Sequence, residues 1–552
     1  MKKCILFILF LCLSATLSAQ PKHEVRAIWL TTIGGIDWPA TYAHDGMGIG
    51  EQQRQLRQML DQLQQAGVNT VLLQTRVRAT TIYPSRLEPW DGCLSGQPGK
   101  GPGYDALQFA IDECHRRGME LHAWVVTIPV GKWQSYGCQQ LRRRRPSMVM
   151  RIGDEGYLNP DSYQTGDYLS DICEEITRRY DVDGIHLDYI RYPETWRGRK
   201  QRSNITAIVR AIHHRVKLYK PWVKLSCSPI GKYSDLTRYR SNGWNARDRV
   251  AQDAQGWLAE GLMDQLYPML YFQGNQFYPF AIDWVEHSCG RTVVSGLAVY
   301  MLDPREGRFQ LPEVKRQLNV SRQIGAGHCY FRARFLLDNI KGVLDYATWF
   351  DRQPALVPPM TWAQSTPPDA PTRLDVRHTA QGDHLSWAGA RDNSDGPYLI
   401  YNIYASHTFP VNTDDPANLL TVRHPGPTLL VPASVASAAP LHYAVTAVDR
   451  YGNESAPTQE PSPYLPSPSA LRAHSSAPAL LPNDGQWLFL DFADAFQSDY
   501  VAFYSMAGNI LHTDRYSEQV DISLLPDGIY QLKSLSRKGV THRIGYFVIK
   551  RS

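Results

Sequence analysis

Between residues 24 and 350, short apolar runs with a period of two alternate with longer stretches whose apolar positions recur every three to four residues. The first pattern predicts strands over 25–31, 69–75, 120–126, 182–190, 223–228, 264–271, 292–299 and 327–332, eight in all. The second predicts helices between them. The clearest is 51–66, where Leu56, Met59, Leu60 and Leu63 form one stripe and Gly67 ends it; others cover 104–117, 167–180, 204–219, 247–260 and 336–350. Eight strand–helix units in one domain, 23–353, have the size and rhythm of an α/β protein of the (β/α)8 TIM barrel type. A doubly wound open sheet is the alternative, but no glycine-rich phosphate turn follows the first strand.

The fourth strand departs from the others. Its alternation puts Ile185, Leu187 and Tyr189 on one face and His186, Asp188 and Ile190 on the other. Strands covered by helices read as continuous apolar sequence, so an imidazole and a carboxylate here require a reason. In a barrel, side chains at the C-terminal strand ends converge on one bowl, where such enzymes place their sites. Collecting those ends gives Trp38, Gln74, Arg76, His122, Trp124, His186, Arg191, Tyr271 and Arg332 as substrate-binding candidates. The rings offer flat faces for sugars, and the polar groups offer hydrogen bonds to hydroxyls.

Glycoside hydrolysis needs two carboxylates, one to protonate the leaving oxygen and one to act as nucleophile or to activate water. Asp188 is the first catalytic candidate because its own strand aims it into the bowl. Glu194, just beyond Pro193, is the second; Asp37, Asp303 and Asp338 are other acids near strand ends, and Asp248 and Asp253 lie near the start of the helix before the sixth strand. A structural reading competes, in which Asp188 pairs with Arg191 or Arg76 and Glu194 is a solvated loop residue. No Ser-His-acid order appears, and no CxxC or HxxxH pair, so neither metal nor cofactor is expected.

Downstream the pattern changes. Residues 354–369, with two Pro-Pro pairs counting Pro367 and Pro368, read as a semi-rigid linker; 370–460 holds short alternating segments of an antiparallel sandwich. A second proline-rich stretch, 461–468, leads to a last β-rich segment, 469–552, expected to be a small C-terminal β-sandwich. Spacers or docking modules are the expected roles. Residues 1–19 combine Lys2 and Lys3, an apolar run and Ser18-Ala19, the pattern of a signal peptide, so the protein is expected in the periplasm, on the cell surface or outside the cell. No later segment is long and apolar enough to span a membrane. Hydrophobic content of 43% and charged content of 20% fit a folded chain. Without the leader, 56 basic residues face 53 acidic ones, too even a balance for nucleic acid as main partner; the local run Arg142 to Arg145 reads as a solvated face or an anion-facing rim. Seven scattered cysteines remain, an odd number that argues against a disulfide framework.

Several long segments resemble a known family: HEVRAIWLTTIGGIDWP, GVNTVLLQTR, GYDALQFAIDECHRRGMELHAW, YDVDGIHLDYIRYP, SCSPIG and DQLYPMLY, in this order, are similar to the glycosyl hydrolase-like 10 family. That family comprises exported (β/α)8 proteins and includes an enzyme that cleaves peptidoglycan glycan strands stripped of their peptides. The resemblance implies a glycan hydrolase with a polysaccharide substrate and Asp188 as its strand-four acid. This chain departs from many relatives at Tyr189, where they carry a second acid, and it runs quickly through Glu194 into the basic stretch 197–202. The segments PPDAPTRL, LSW, YNIYAS and YAVTAVDRYGNES resemble a fibronectin type III module with Trp387 in its core. The segments FYSMAGNIL, DISLLPDGIYQLK and VIKR at the end of the chain loosely resemble the C-terminal tail domains of type IX secreted proteins.

Overall fold

A computed structural model describes residues 20–436 and 441–459 and, between 481 and 550, those outside 482, 484–485, 491–499, 506–509, 516, 518 and 536–540. The leader 1–19 and the second proline-rich stretch 461–468 lie outside the described residues. Eight parallel strands close into a barrel: β1 (Arg26–Leu30), β2 (Thr70–Arg76), β3 (Glu120–Val126), β4 (Gly184–Asp188), β5 (Lys224–Cys227), β6 (Gln265–Leu266), β7 (Thr292–Leu297) and β8 (Gly327–Tyr330). Each pairs with its neighbour in sequence, and β8 closes on β1 with Arg26 opposite His328 and Ile28 opposite Tyr330.

One principal helix follows each strand: α1 (Gly46–Gln65), α2 (Ala106–Arg116), α3 (Tyr163–Arg179), α4 (Arg202–Tyr219), α5 (Ala254–Ala259), α6 (Tyr278–Glu286), α7 (Leu311–Gln323) and α8 (Val343–Phe350). The open doubly wound sheet is thereby excluded. Two of the expected helices are broken. The stretch 247–260 is interrupted at Ala251 (φ 56°), and 336–350 at Asn339, Lys341 and Gly342, all with positive φ. Helices α6 and α7 carry proline in their first turn, where its missing N–H costs no hydrogen bond, and their apolar positions were not part of the periodic pattern above.

Two apolar layers hold the barrel. Strand residues such as Leu30, Leu73 and Leu187 pack outward against Leu60, Ile111 and Ile172 of the helices. Inside the barrel, Trp29, Leu72, Trp124, Val126, Tyr267, Val294 and Cys329 fill a second core. Between β3 and α3 the chain inserts three short antiparallel strands, Pro129–Lys132, Val149–Ile152 and Glu155–Leu158, with a helix, Tyr136–Arg144, between the first two. This insert forms a wall beside the C-terminal mouth. The basic run belongs to that helix and its end, where Arg142 lies over the Trp133 ring with 3.8 Å to the ring centre.

After the barrel, seven strands form two antiparallel sheets. Strands β9 (Thr372–Thr379), β10 (Gly382–Ala388) and β13 (Thr428–Pro432) make one; β12 (Leu419–His424), β11 (Ile400–Ser406), β14 (His442–Val448) and β15 (Thr458–Gln459) make the other. Their shared core contains Leu385, Trp387, Tyr401, Ile403 and Val445. The stretch expected as a linker lies packed against the rest: Ala355, Leu356 and Met360 are buried, Leu356 bridges to His23, and the Trp362 indole donates to Asp264. The C-terminal segment forms a two-stranded and a four-stranded antiparallel sheet around Leu488, Val501, Phe503, Leu532 and Phe547. Among the described residues the seven cysteines are free, and of these only Cys289 is exposed.

Candidate active site

The barrel mouth opens into a cavity of about 530 Å³ lined by strand ends and by the insert. Asp188, the last residue of β4, forms part of its lining. One carboxylate oxygen accepts from the Ser228 hydroxyl at 2.9 Å and from the Tyr189 amide at 2.8 Å; the other accepts from the Trp124 indole at 3.2 Å. Tyr189 itself, directly after Asp188, adopts a left-handed backbone (φ 54°) that is strained for a non-glycine residue. Burial pushes the Asp188 pKa up, and Ser228, the Arg191 charge, the Tyr189 amide and Trp124 pull it back only in part, so it stays above the usual carboxylate value.

Gln74, Trp124, Arg191, Tyr271, Arg332 and Glu194 line the same cavity. Tyr271 stacks on Phe331 at 5.4 Å between ring centres and meets Tyr300 edge-on, so its ring is fixed in place. The Gln74 side chain accepts from the amides of Thr32 and Ile33, at 3.0 and 2.8 Å. Arg191 forms an ion pair with Glu194 and lies over the Tyr189 ring. Arg332 pairs with Asp37, whose second oxygen accepts from the amide and hydroxyl of Thr31; this acid ties the β1 and β8 loops together. Asp303 pairs with Arg305 and Asp338 with Arg334, Asp248 accompanies Arg247, and Asp253 accepts from the Tyr233 hydroxyl. None of these four lines the cavity.

Four expected sugar-binding residues lie elsewhere. Trp38 is fully buried behind the β1 loop, with its indole donating to the Gln52 carbonyl. Arg76 follows an irregularity in the β2–β3 pairing, so it turns aside to Glu88 and to the carbonyls of Val126 and Thr127. His186 faces inward as its strand predicts, but one layer deeper: Trp29 donates to its Nε2 at 3.2 Å, which makes Nδ1 the donor to Ser226 at 2.9 Å. Burial lowers its pKa well below the usual value and keeps the ring neutral. His122 is deeper still, 3.1 Å from Glu120 at the barrel floor.

The structure adds residues that the strand-end argument does not reach. Glu155 and Tyr157, on the third strand of the insert, line the cavity, while Gly156 and Leu158 on the opposite face are buried. The Glu155 carboxylate has no hydrogen-bond or ion-pair partner among the described residues. Met269 also contributes, and Arg78, which the strand-end argument does reach just beyond Arg76, lines the cavity as well. Glu24, His328 and Asp351 form a buried cluster with metal-ligand spacing, but both carboxylates already bind Arg322, and Arg26 flanks them, so the arrangement is an ion network.

A family model described as glycosyl hydrolase-like 10 matches residues 24–201 and 192–301, from β1 through β7. The chain belongs to the glycosyl hydrolase-like 10 family. It is similar to glycosyl hydrolase YngK of Bacillus subtilis (strain 168), 29% identical over 412 residues that cover 67% of this chain and 80% of the relative. It is also similar to glycosyl hydrolase DigH of Escherichia coli (strain K12), 30% identical over 375 residues, covering 57% of this chain and 84% of the relative. Among solved structures it is similar to the PgaB (BpsB) glycoside hydrolase domain from Bordetella bronchiseptica, at 14% identity and a TM-score of 0.40, covering 59% of this chain and 98% of that one. This glycosyl hydrolase-like 10 barrel thus carries a buried, oriented carboxylate on its fourth strand and two further acids at one mouth.

Proposed function

We propose that this protein is an exported glycoside hydrolase that cuts the glycan strands of peptidoglycan, with Asp188 acting at the anomeric carbon. The observation that carries this reading is the placement of Asp188: it sits at the C-terminal mouth, and its hydrogen-bond donors are all neutral groups. An N–H bond on each oxygen fixes the carboxylate plane, and no ion pair consumes its charge. Such a group is suited to stabilise, or to attack, a centre on which positive charge develops. Membership of a glycosyl hydrolase-like family supports the reaction class.

The second carboxylate is drawn from Glu155 and Glu194. Glu194 is engaged by Arg191 through one carboxylate oxygen, whereas Glu155 faces the same cavity without a hydrogen-bond or ion-pair partner among the described residues. Glu155 is therefore the preferred proton donor to the leaving oxygen, with Glu194 and Arg191 positioning the sugar. Tyr271 supplies a ring face, and Gln74 is held by two backbone amides at the opposite wall. The leader-like pattern of residues 1–19 supports export, and the family resemblance supports peptidoglycan as substrate. The three-plus-four arrangement of strands supports reading 370–460 as fibronectin type III-like.

Incubating the purified protein with peptide-free glycan strands should release new reducing ends, and Asp188→Asn should abolish them. A protein that binds these strands yet releases no ends would instead be a glycan-binding envelope protein with a degenerate barrel, a reading favoured by the commitment of Glu194 to Arg191.

A further inference from the structure

Beside the catalytic cavity lies a second one of about 730 Å³. The two share Ile33 and Arg78, and the insert walls both: Pro129, Glu155 and Tyr157 face the first, Gly131, Lys132 and Asp154 the second. Each volume is in the range of a small-molecule site, and together they form one trough across the barrel mouth. Two tyrosines lie along the outer part: Tyr42 is 56% exposed and Tyr136 42%, among the larger exposed rings of the barrel. Exposed aromatic rings in a concave site cost hydration unless something covers them.

The seam between the cavities is built. Gly131 has φ 90°, and a Cβ there would come within 3.0 Å of the Ser135 hydroxyl and 3.4 Å of the Arg78 Cβ, so its absence lets Arg78 lie against the insert. Gly99 has φ 86°, and a Cβ there would lie 2.7 Å from the Tyr136 hydroxyl; the loop thus makes room for that ring. Lys132 has no ion-pair partner among the described residues, while Asp91 is occupied by Thr80 and the Cys93 amide.

We propose that this second cavity is a further binding site for the same polysaccharide chain, holding sugar units remote from the bond that Asp188 attacks, through Tyr42, Tyr136 and Lys132. The proposal rests on the glycan hydrolase reading above. Binding energy gained there from units that do not react serves to position the reacting one, so its signature is a dependence of turnover on chain length.

The test uses peptide-free peptidoglycan strands sorted by length. For the full-length protein, kcat/KM should rise with chain length and level off once the trough is filled. Tyr136→Ala, and separately Tyr42→Ala, should lower kcat/KM on long strands roughly five- to tenfold and leave the shortest cleaved oligosaccharide within about twofold. An equal loss at every length, or no loss at any, would overturn the second site while leaving the hydrolase reading intact. If the unaltered protein cuts no strand, the hydrolase reading fails instead. The second site is then decided by calorimetry on the same strands: affinity that rises with length and loses that rise in Tyr136→Ala supports it, and affinity independent of length overturns it.

Discussion

Arg423, on strand β12 of the sandwich, donates to Asp183 at the start of barrel strand β4 over 2.6 Å. The same guanidinium reaches Glu120 at 3.1 Å, and Glu120 also binds Lys224 at 2.8 Å. Burial works against the ionised forms of both acids. For Asp183, Arg423, His115 and Arg450 still hold the pKa well below the usual value, and for Glu120, Lys224, His122 and Arg423 bring it down to about 2. The sandwich therefore supplies counter-charges to the floor of the barrel.

Arg423→Ala should destabilise the whole chain by about 3 to 5 kcal/mol, because it leaves buried carboxylates short of a partner. The sign with pH is fixed by the lowered pKa values. This stabilisation is present above the unfolded carboxylate pKa and is lost as pH falls through the lower folded value, so the defect should be largest at neutral pH and shrink on acidification. Denaturant unfolding at several pH values checks it. An unfolding midpoint unchanged at pH 7 would show that Lys224, His115 and Arg450 suffice.

A chain ending near residue 354 would lose Arg423 and Arg450 together, along with the Val422 carbonyl packed against Gly118. Such a chain is expected to unfold well below the full-length protein or to expose the barrel floor to aggregation. Thermal unfolding of the two chains at equal concentration settles whether the sandwich is the independent accessory module that the proline-rich stretches suggested.

Much of this was legible in the sequence, and what was not has identifiable causes. Strand period and helix period gave eight units and singled out β4, because ionisable residues stand out in a buried apolar strand. Alternation, however, specifies which face a side chain takes and not its depth. His186 precedes Asp188 by two residues, which at ~3.3 Å per residue places it about 7 Å deeper in the barrel. It lands beside Trp29 and Tyr267, away from the cavity. Arg76 was misplaced because a one-residue irregularity in pairing reverses the alternation beyond Gln74. Glu155 carried no usable signal, since four-residue strands in an insert are too short for a period to register.

Glu155→Gln should reduce kcat by several orders of magnitude on substrates with a poor leaving group, and much less on an activated aryl glycoside, which departs without a proton. Glu194→Gln should act mainly through KM, by loosening Arg191. Comparing both variants on both substrate types separates the roles. Equal sensitivity of Glu155→Gln on the two would remove it as the proton donor.

Trp124→Phe keeps a ring in the wall but deletes the indole N–H that Asp188 accepts at 3.2 Å. Losing a donor to the carboxylate raises its pKa further above the usual range. Because Asp188 is proposed to act ionised, activity is lost as pH falls through that pKa, so the acid limb of kcat/KM should move to higher pH. A pH profile with an unmoved acid limb would dissociate Trp124 from the ionisation that controls turnover.

Asp188→Asn decides the central assignment. The structural reading of this residue required an ion pair with Arg191 or Arg76, but those guanidinium groups bind Glu194 and Glu88. Asp188 keeps only neutral donors, so no salt bridge is broken by the substitution. An asparagine oxygen would satisfy one side, while its NH2 would face a donor on the other, a mismatch costing about 1 to 3 kcal/mol. Against that, the variant removes a buried charge. Since the folded-state pKa of Asp188 is raised, the native protein loses stability as pH rises from the unfolded carboxylate pKa through the folded one, and Asp188→Asn does not. The variant should therefore compare more favourably with the native protein at pH 7 than at pH 4. Turnover should fall by several orders of magnitude and strand affinity should stay within about tenfold, because the charge matters most where positive charge develops in the transition state. Unfolding, calorimetry and reducing-end release on one preparation give all three quantities, and a stable variant that still cuts glycan would exclude Asp188 from the chemistry.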